Sequence, residues 1–263
     1  MKIEVLCPTM HQKDISKYQQ MNLQTDAVIA NQADACAYSE YNVNGKRVRF
    51  ITTDTRGASI NRNLAIIYSS ADIIIFADDD QEFVDGYEDI VIKEFLEHPD
   101  ADAIKFYCES TNPERPLAFK KPLTFCKAKK RNLMSAGVVC LAVKREFLIK
   151  TSIMFESGIG PGQEIVCGED SVFLNKLLKN GANTYLSSEL LSYIHQGDSS
   201  WFNGYDKRVL FSIGYIYDCI YGDLSVFLIL RRVFRFDKSE CALSKKQIFD
   251  AMMDGRKKHR KQF

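Results

Sequence analysis

The run DIIIFA at Asp72–Ala77 constrains the fold of this 263-residue chain most. Between its ends it is continuously apolar and rich in β-branched residues, which is typical of a strand buried on both faces. Such a strand needs a layer of helices on each side of its sheet. The run therefore predicts an α/β protein.

Strand and helix signals alternate through the first half of the chain. Apolar residues at helical spacing predict a helix at Ser59–Tyr68, with Ser59 near its cap. A second helix is predicted from Asp85 to about Glu97, because Asp85 and Glu88 have the spacing of a capping box. The alternation predicts a mainly parallel, Rossmann-like sheet flanked by helices. Its other predicted strands are Ile3–Cys7, Ala27–Ala30, Val48–Thr52 and Ala103–Cys108.

The pattern changes in the second half. Glycines and a proline mark Phe155–Gly168 as a loop, and the helix that follows is closed by Gly181. Asn183–Ser187 and Leu190–Ile194 are predicted as two short strands. From Trp201 the chain is helical and aromatic, and it ends in the basic tail GRKKHRKQF. We therefore predict one domain at residues 1–200 and a helical C-terminal extension at residues 201–263.

Composition limits the partners and the compartment. The formal net charge is +1, so the chain as a whole has no attraction to nucleic acid, and we expect no nucleic-acid partner. The eight cysteines lack the CxxC spacing of zinc or redox sites, and the N-terminus lacks a signal-peptide pattern. We therefore expect reduced, mostly core-filling cysteines in a cytoplasmic protein.

Three adjacent carboxylates, Asp78, Asp79 and Asp80, follow directly on the buried run. Ligands of open α/β sheets bind at the carboxyl ends of strands. A hard cation, Mg²⁺ or Mn²⁺, would relieve the repulsion among these acids while sharing its shell with substrate phosphates. In an extended chain Asp78 and Asp80 point the same way, so both can reach one metal–diphosphate unit. A solvated acidic turn is the alternative.

A second acidic pair, Glu169 and Asp170, lies between the glycine-rich loop and an amphipathic helix. Asp170 could be a general base that accepts the proton of an acceptor hydroxyl. Alternatively, both acids only complement the positive end of the helix. His195 ends the segment LLSYIH and is a candidate metal ligand, since imidazole suits Mn²⁺, although a lone histidine is often structural.

Polar residues near the other strand ends complete the candidate site. Arg62, within GASINRN, could hold the aspartates or meet phosphate, or it could be a surface arginine paired with any nearby acid. Thr9, Asn31 and Asp34 lie just past the first two strands. They could hydrogen-bond a base and ribose, or they could be ordinary turn residues.

Together these segments resemble family 2 glycosyltransferases with the GT-A fold. The resemblance rests on PT after the first strand, GASINRNLAI, IIIFADDDQEF, and GEDSVFLNKLL followed by a late histidine, and it covers roughly residues 1–200. It is strongest to bacterial members that build capsular or other surface polysaccharides. It implies an inverting, hexosyltransferase-like enzyme that moves a sugar from a UDP- or similar nucleotide-linked donor to an acceptor hydroxyl.

The resemblance also implies roles for single residues. Asp78 and Asp80 match the acids that meet ribose, metal and diphosphate, and Asp79 stands between them on the donor side. Asp170 matches the catalytic base and Glu169 its partner in the ED pair, while His195 matches a late histidine that some members use at the metal. Many members read the base and ribose with two acids after the second strand. Here the sequence is Asn31-Gln32, and Asp34 is the candidate substitute.

Two other functions stay open from the sequence. A nucleotidyltransferase would also use a metal and an α/β sheet, but the chain has CPTMHQKD where such an enzyme has a glycine-rich basic loop. A non-catalytic nucleotide-sugar-binding module is the second alternative. The intact DDD and ED segments favour a transferase over both.

The C-terminal region carries its own expectations. Val209–Leu230 is long enough to span a membrane, but Asp218 and Asp223 would each cost about 2.5–3.5 kcal/mol at bilayer depth, so we predict a buried or interfacial helix pair. The resembling family often uses a saccharide or lipid-linked saccharide acceptor. The aromatic region Trp201–Phe236 and the basic tail could therefore touch the inner membrane face. Alternatively, the helices cover the sheet or form a homodimer contact, with the tail disordered in solvent.

Overall fold

A computed structural model describes residues 1–195, 204–237 and 241–262. The strands are β1 (Ile3–Met10), β2 (Asp26–Gln32), β3 (Ala37–Val43), β4 (Lys46–Thr53), β5 (Ile73–Phe76), β6 (Gln81–Phe83), β7 (Ala103–Ser110), β8 (Cys126–Lys127), β9 (Leu141–Lys144) and β10 (Thr184–Ile194). The helices are α1 (Ser16–Gln20), α2 (Ala58–Tyr68), α3 (Tyr87–Glu97), α4 (Lys130–Met134), α5 (Arg145–Thr151), α6 (Glu169–Lys179), α7 (Lys207–Tyr221), α8 (Ser225–Arg235) and α9 (Lys245–Gln262).

All the described strands join one sheet in the order β3-β4-β2-β1-β5-β9-β7-β10-β6, with β8 paired to β10. Strands β1, β2, β4, β5, β7 and β10 run in one direction. The predicted α/β fold with a mainly parallel sheet is therefore confirmed. From β1 the chain builds outward to β2 and β4 and then returns to β5 on the other side of β1. This reversal of strand order creates the crevice where open α/β sheets bind ligands.

The strand that follows the reversal, β5, is buried on both faces, as its sequence predicts. Ile73 and Ile75 pack into a core with α1 and α3, while Ile74 and Phe76 pack into a second core with α2, α5 and α6. Alternate side chains of one strand therefore serve two helix layers. This double burial fixes the carboxyl end of β5, where Asp78 begins the acidic turn.

Antiparallel strands are the main departure from the expected sheet. β9 lies between β5 and β7 and is antiparallel to both, and β3 forms an edge hairpin with β4. The two short strands expected at 183–187 and 190–194 are one strand, β10. Its pairing with β7 shifts register between Leu186 and Ser192, so an irregularity replaces the expected break.

Two predicted helix starts differ in their caps. The cap of α2 is Gly57, two residues before Ser59, and the Ser59 hydroxyl donates to the carbonyl of Ile159. The expected capping box at α3 does not form, because Gly86 is the left-handed cap. The Asp85 carboxylate accepts bonds from the side-chain amides of two residues after α1, Asn22 and Gln24. It therefore ties that segment to α3 rather than capping the helix.

The C-terminal helices pack closely on one another. A Cβ atom placed on Gly214 of α7 would lie 1.9 Å from the Met252 carbonyl, and one on Gly255 of α9 would lie 1.9 Å from the Phe211 carbonyl. Only glycine allows the two backbones to approach this closely. Trp201, where we predicted the helical region to begin, lies outside the described residues, and so does the boundary at 200/201. The division into two domains stays a prediction.

The apolar stretch Lys207–Arg235 is long and apolar enough to cross a membrane by length and composition, and 39% of its most apolar window is buried. It consists of α7 and α8, separated by a 3-10 turn at Gly222–Leu224, so it forms the predicted helix pair. The basic tail is not disordered as far as Gln262. It forms the end of α9, and His259 and Arg260 contact Asp218 at 2.9 and 3.0 Å.

Candidate active site

The acidic turn begins directly after β5 and is held from several sides. The backbone amide of Asp78 donates to the side-chain oxygen of Gln81 at 2.7 Å. Thr9, at the end of β1, donates to the Asp79 carboxylate at 2.5 Å, and Lys17 donates to the Asp79 carbonyl at 2.9 Å. Thr9 and Asp79, both predicted for the donor site, therefore meet where β1 and β5 end side by side.

Arg62 joins the two acidic segments. Its guanidinium lies 2.8 Å from Asp78, 3.3 Å from Glu169 and 3.2 Å from Asp170, and only 7% of its side chain is exposed. The acids come from sequence segments more than ninety residues apart, at 78 and at 169–170. Arg62 is therefore a buried cation that contacts both acidic segments, and not a surface arginine.

Glu169 and Asp170 occupy the first turn of α6. Gly168 caps this helix in the left-handed conformation with φ of 98°, which a side chain rarely adopts. The backbone amide of Val138 donates to Asp170 at 3.1 Å, and Gly137 leaves room for that carboxylate. Asp170 keeps 27% of its side chain exposed, whereas Glu169 keeps 13%. Asp170 is therefore the more accessible of the two acids.

Helix α7 supports this acidic helix from behind. A Cβ atom on Gly168 would lie 2.6 Å from the Ile216 side chain, and the Ser212 hydroxyl accepts a bond from the Val166 amide at 3.0 Å. The C-terminal region therefore positions the turn that presents Asp170. Sequence analysis missed this role, because contacts between helix α7 and a distant loop leave no local pattern.

The shared burial of these acids changes their protonation. Burial, followed by repulsion from Asp170, raises the pKa of Glu169 to about 7. Burial also raises the pKa of Asp170, with Arg62 opposing the rise and Asp78 adding to it. Burial alone would lower the pKa of Arg62, but its three acidic partners raise it, so the guanidinium stays charged.

The third acid of the turn, Asp80, is repelled by the two acids before it. Partial burial, followed by repulsion from Asp78 and Asp79, raises the pKa of Asp80 to about 6. An incoming cation would relieve that repulsion. The turn offers carboxylate oxygens and His195 offers an imidazole nitrogen. Mn²⁺ accepts both kinds of donor, whereas Mg²⁺ prefers the oxygens. By residue type the turn and His195 therefore suit a divalent cation, but their ligand atoms are not gathered within 4.8 Å of one another in this structure.

The backbone of His195 lies beside the acidic turn, and its role as a metal ligand stays a prediction. Its backbone amide donates to the Asp80 carbonyl at 2.8 Å. Its ring nitrogens lie 2.9 Å from the Glu82 carboxylate and 3.3 Å from the Thr111 hydroxyl. The backbone of His195 is thus tied to the acidic turn, while its ring is paired with Glu82.

In the described part of the chain, three possible ligand atoms lie within 4.8 Å of one another only at Glu94, Glu97 and His98, and not at Asp78, Asp80 and His195. Glu94, Glu97 and His98 end α3, just before β7 begins, and so lie near the amino ends of the parallel strands. Asp78 lies at the carboxyl end of β5. Glu94 already accepts a hydrogen bond from Ser187 at 2.9 Å. The group is separate from the predicted site.

The two remaining candidates have different positions. Asn31 is fully buried, and its amide is bonded to both backbone groups of Gln12 and to Thr52. A contact between Asn31 and a nucleobase would require some of these bonds to break. Asp34 is on the surface, where its carboxylate pairs with Arg56. The structure therefore leaves Asp34, and not Asn31, open to a ligand.

Residues 25–152 match the sequence model of the glycosyl transferase family 2. The match spans 128 of the 263 residues, just under half of the chain. A comparison with curated protein sequences gave no match. The match confirms the resemblance found in the sequence, and the matched residues include β2 to β5 and the acidic turn.

Solved structures of S. aureus TarS share the GT-A fold of this chain. The structure of TarS 1–349 in complex with UDP-GlcNAc has 15% sequence identity and a TM-score of 0.64, and the match covers 91% of this chain and 74% of that one. The complex with UDP has 15% identity and a TM-score of 0.60, and it covers 91% and 73%. A longer TarS structure has 16% identity and a TM-score of 0.64, and the match covers 91% of this chain but 44% of that one. At these identities the likeness establishes the fold.

Proposed function

We propose that this protein is an inverting, metal-dependent glycosyltransferase that moves a sugar from a UDP-linked donor to an acceptor hydroxyl. The family match and the fold support sugar transfer. The choice of UDP rests on the TarS structures of the same fold that contain UDP-GlcNAc or UDP. The acceptor is proposed to be a saccharide or lipid-linked saccharide of a capsular or other surface polysaccharide.

One observation carries the proposal more than any other. Arg62 brings Asp78, at the end of β5, within one guanidinium of Asp170, at the start of α6. A transferase needs a donor-binding group and a general base side by side, because the acceptor oxygen must attack the sugar carbon while the base takes its proton. A module that only binds a nucleotide sugar has no use for the second group.

Asp170 is the proposed base. It accepts the proton of the acceptor hydroxyl as the oxygen bonds to the anomeric carbon, and the bond from that carbon to the diphosphate breaks on the opposite side. The amide of Val138 orients one carboxylate oxygen, and Arg62 contacts the other. Glu169 shares Arg62 and, with its pKa of about 7, is partly protonated near neutral pH, which limits repulsion against Asp170.

The donor occupies the crevice beside β1 and β5 in this proposal. Thr9, Asp34 and Asp79 face the nucleotide side, and Asp78, Asp80 and His195 would hold Mn²⁺ or Mg²⁺. When bound, the cation would neutralise the diphosphate charge. Asn31 contributes indirectly, because its bonds to Gln12 and Thr52 fix the strand ends beside the crevice.

The proposed acceptor also sets the location. A lipid-linked saccharide would bring a cytoplasmic enzyme to the inner membrane face, whereas a free saccharide would not. A homodimer contact through the C-terminal helices stays a prediction for measurements of mass in solution.

The test is a panel of UDP-sugars with Mn²⁺, in which release of UDP is followed with and without saccharide acceptors. We expect UDP release that depends on Asp170 and stops in EDTA. Release of pyrophosphate from a nucleoside triphosphate and a sugar phosphate would instead support a nucleotidyltransferase. Tight UDP-sugar binding with no turnover on any acceptor or water would support a non-catalytic module.

A further inference from the structure

The outer face of α8 is apolar, aromatic and basic at once. Phe227, Leu230 and Phe234 are 67%, 40% and 72% exposed, and Arg231 and Arg235 lie exposed among them. Their spacing of three or four residues puts them along one side of the helix. We call these five residues the α8 face.

The opposite side of α8 is anchored in the protein. Ile229 and Val233 are buried in a cluster with Leu210 of α7 and Met252 of α9. The helix therefore cannot rotate to hide Phe227 or Phe234 without losing this core. The exposed rings are held outward by a rigid support.

The charge of the α8 face has one sign. The segment SVFLILRRVFRF contains three arginines and no acid. Arg232 packs against the rings of Tyr205 and Phe236, and within the described residues neither Arg231 nor Arg235 forms an ion pair. Two cations therefore stand beside the exposed rings, available to an outside partner.

The basic tail is less available, contrary to what its sequence suggests. Arg256 lies 3.3 Å from Asp218, His259 and Arg260 also contact Asp218, and Lys258 lies 3.2 Å from Glu164. These pairs hold α9 against the rest of the chain. Among the described residues of the C-terminal region, α8 thus offers a surface that is basic and aromatic at once.

We propose that the α8 face docks on the surface of an anionic lipid bilayer. Exposed aromatic and leucine side chains enter the headgroup boundary, and arginines beside them pair with lipid phosphates. A second copy of this chain fits less well, because two faces of this kind would place like charges together without an acid to offset them. The bilayer satisfies both the apolar and the cationic groups.

The inference concerns binding and is separable from catalysis. The proposed lipid-linked acceptor would make use of such a contact, so the biological role rests on the proposed function, but the docking itself rests on α8. The α8 face contains none of the residues placed in the active site. Vesicle binding and sugar transfer to a soluble acceptor can therefore be measured independently on the same variants.

The experiment is co-sedimentation of the full chain with vesicles of phosphatidylcholine, with and without phosphatidylglycerol. We expect binding only when phosphatidylglycerol is present, and weaker binding as salt rises. Arg231→Gln with Arg235→Gln should lower partitioning about thirty-fold, from about 1 kcal/mol per cation. Phe227→Ser with Phe234→Ser should lower it about tenfold or more by removing the inserted rings.

Matched controls come from the sheet edge at β3–β4. Tyr38, 50% exposed, and Arg47, which pairs with Glu40, supply an aromatic and a cation outside α8. Tyr38→Ser with Arg47→Gln should leave vesicle binding unchanged, and thermal melting should show that all variants fold.

Three results would overturn the inference: no wild-type binding to anionic vesicles at low salt, binding that the α8 variants leave intact, or a dimer in solution that the Phe227→Ser and Phe234→Ser pair dissociates. Lost vesicle binding with normal transfer to a soluble acceptor is the expected behaviour of the α8 variants. Failure of wild-type transfer with normal vesicle binding would count against the proposed function alone.

Discussion

Replacing Arg62 by methionine should destabilise the protein strongly at alkaline pH. The substitution keeps most of the side-chain volume but removes the guanidinium that lies 2.8–3.3 Å from three carboxylates. Breaking a buried ion pair by removing one partner typically costs about 3–5 kcal/mol, because the remaining charge is left uncompensated. We expect a loss in this range at pH 8, which is above the pKa of about 7 of Glu169.

The loss should be smaller at pH 5. The pKa of Glu169 is already about 7, so at pH 5 this group is neutral and contributes no repulsion when Arg62 is absent. Without the guanidinium, the pKa of Asp170 should rise further, which also favours protonation as the pH falls. The loss of stability caused by Arg62→Met should therefore be about 1–3 kcal/mol larger at pH 8 than at pH 5. This difference corresponds to one or two pKa shifts of about one unit.

Urea denaturation of wild type and variant at both pH values measures these differences. Arg47→Met is the control, since Arg47 forms an exposed pair with Glu40 and such pairs contribute about 0–1 kcal/mol. The reasoning is refuted if Arg62→Met loses less than about 1 kcal/mol at pH 8, or if it loses more at pH 5 than at pH 8.

Further substitutions test the neighbouring structure. The raised pKa of Glu169 means that the folded state favours its protonated form, so the stability from this group is present below about pH 4.5 and is lost as the pH rises through 7. Glu169→Gln should therefore raise the melting temperature at pH 8 more than at pH 5, and an equal change at both values would contradict this. Gly255→Ala should destabilise the chain by about 1–3 kcal/mol or more through its backbone clash with α7, whereas Gly158→Ala, in open space, should change stability little. Gly168→Ala should lower turnover as well as stability, because both its positive φ and the nearby Ile216 side chain resist a Cβ atom; unchanged kcat would show that this cap does not position Asp170.

Local patterns predicted the elements whose signals lie within a few residues. The apolar run before Asp78 could only be a doubly covered strand, and the helical spacing of α2 and α6 placed Arg62 and Asp170 at helix starts. The β3–β4 hairpin was missed although Asn44-Gly45, with both residues at positive φ, is a strong hairpin signal. The antiparallel strand β9 was also missed, because a short apolar run carries no information about direction.

The candidate site was predictable in its residue types but not in its contacts. Sequence alone offered three alternatives for Arg62, and only the fold shows that one guanidinium reaches both acidic segments. Asn31 lies within β2 rather than just past the second strand, and its burial depends on Gln12 and Thr52 from neighbouring segments. Gln81, which holds the Asp78 amide from a buried position, was missed for the same reason. Such contacts join distant parts of the chain, so no local pattern in the sequence predicts them.

The central claim is that Asp170 is the base of a sugar transfer whose donor is held at Asp78–Asp80. The most direct test measures UDP release and UDP-sugar affinity for wild type and Asp170→Asn, which keeps the shape of the side chain but cannot accept the proton. We predict a fall in turnover of about 10²–10⁴-fold with little change in donor affinity. For Asp80→Ala we predict the opposite pattern, in which the main change is weaker donor binding in the presence of Mn²⁺. Near-wild-type turnover by Asp170→Asn would contradict the account.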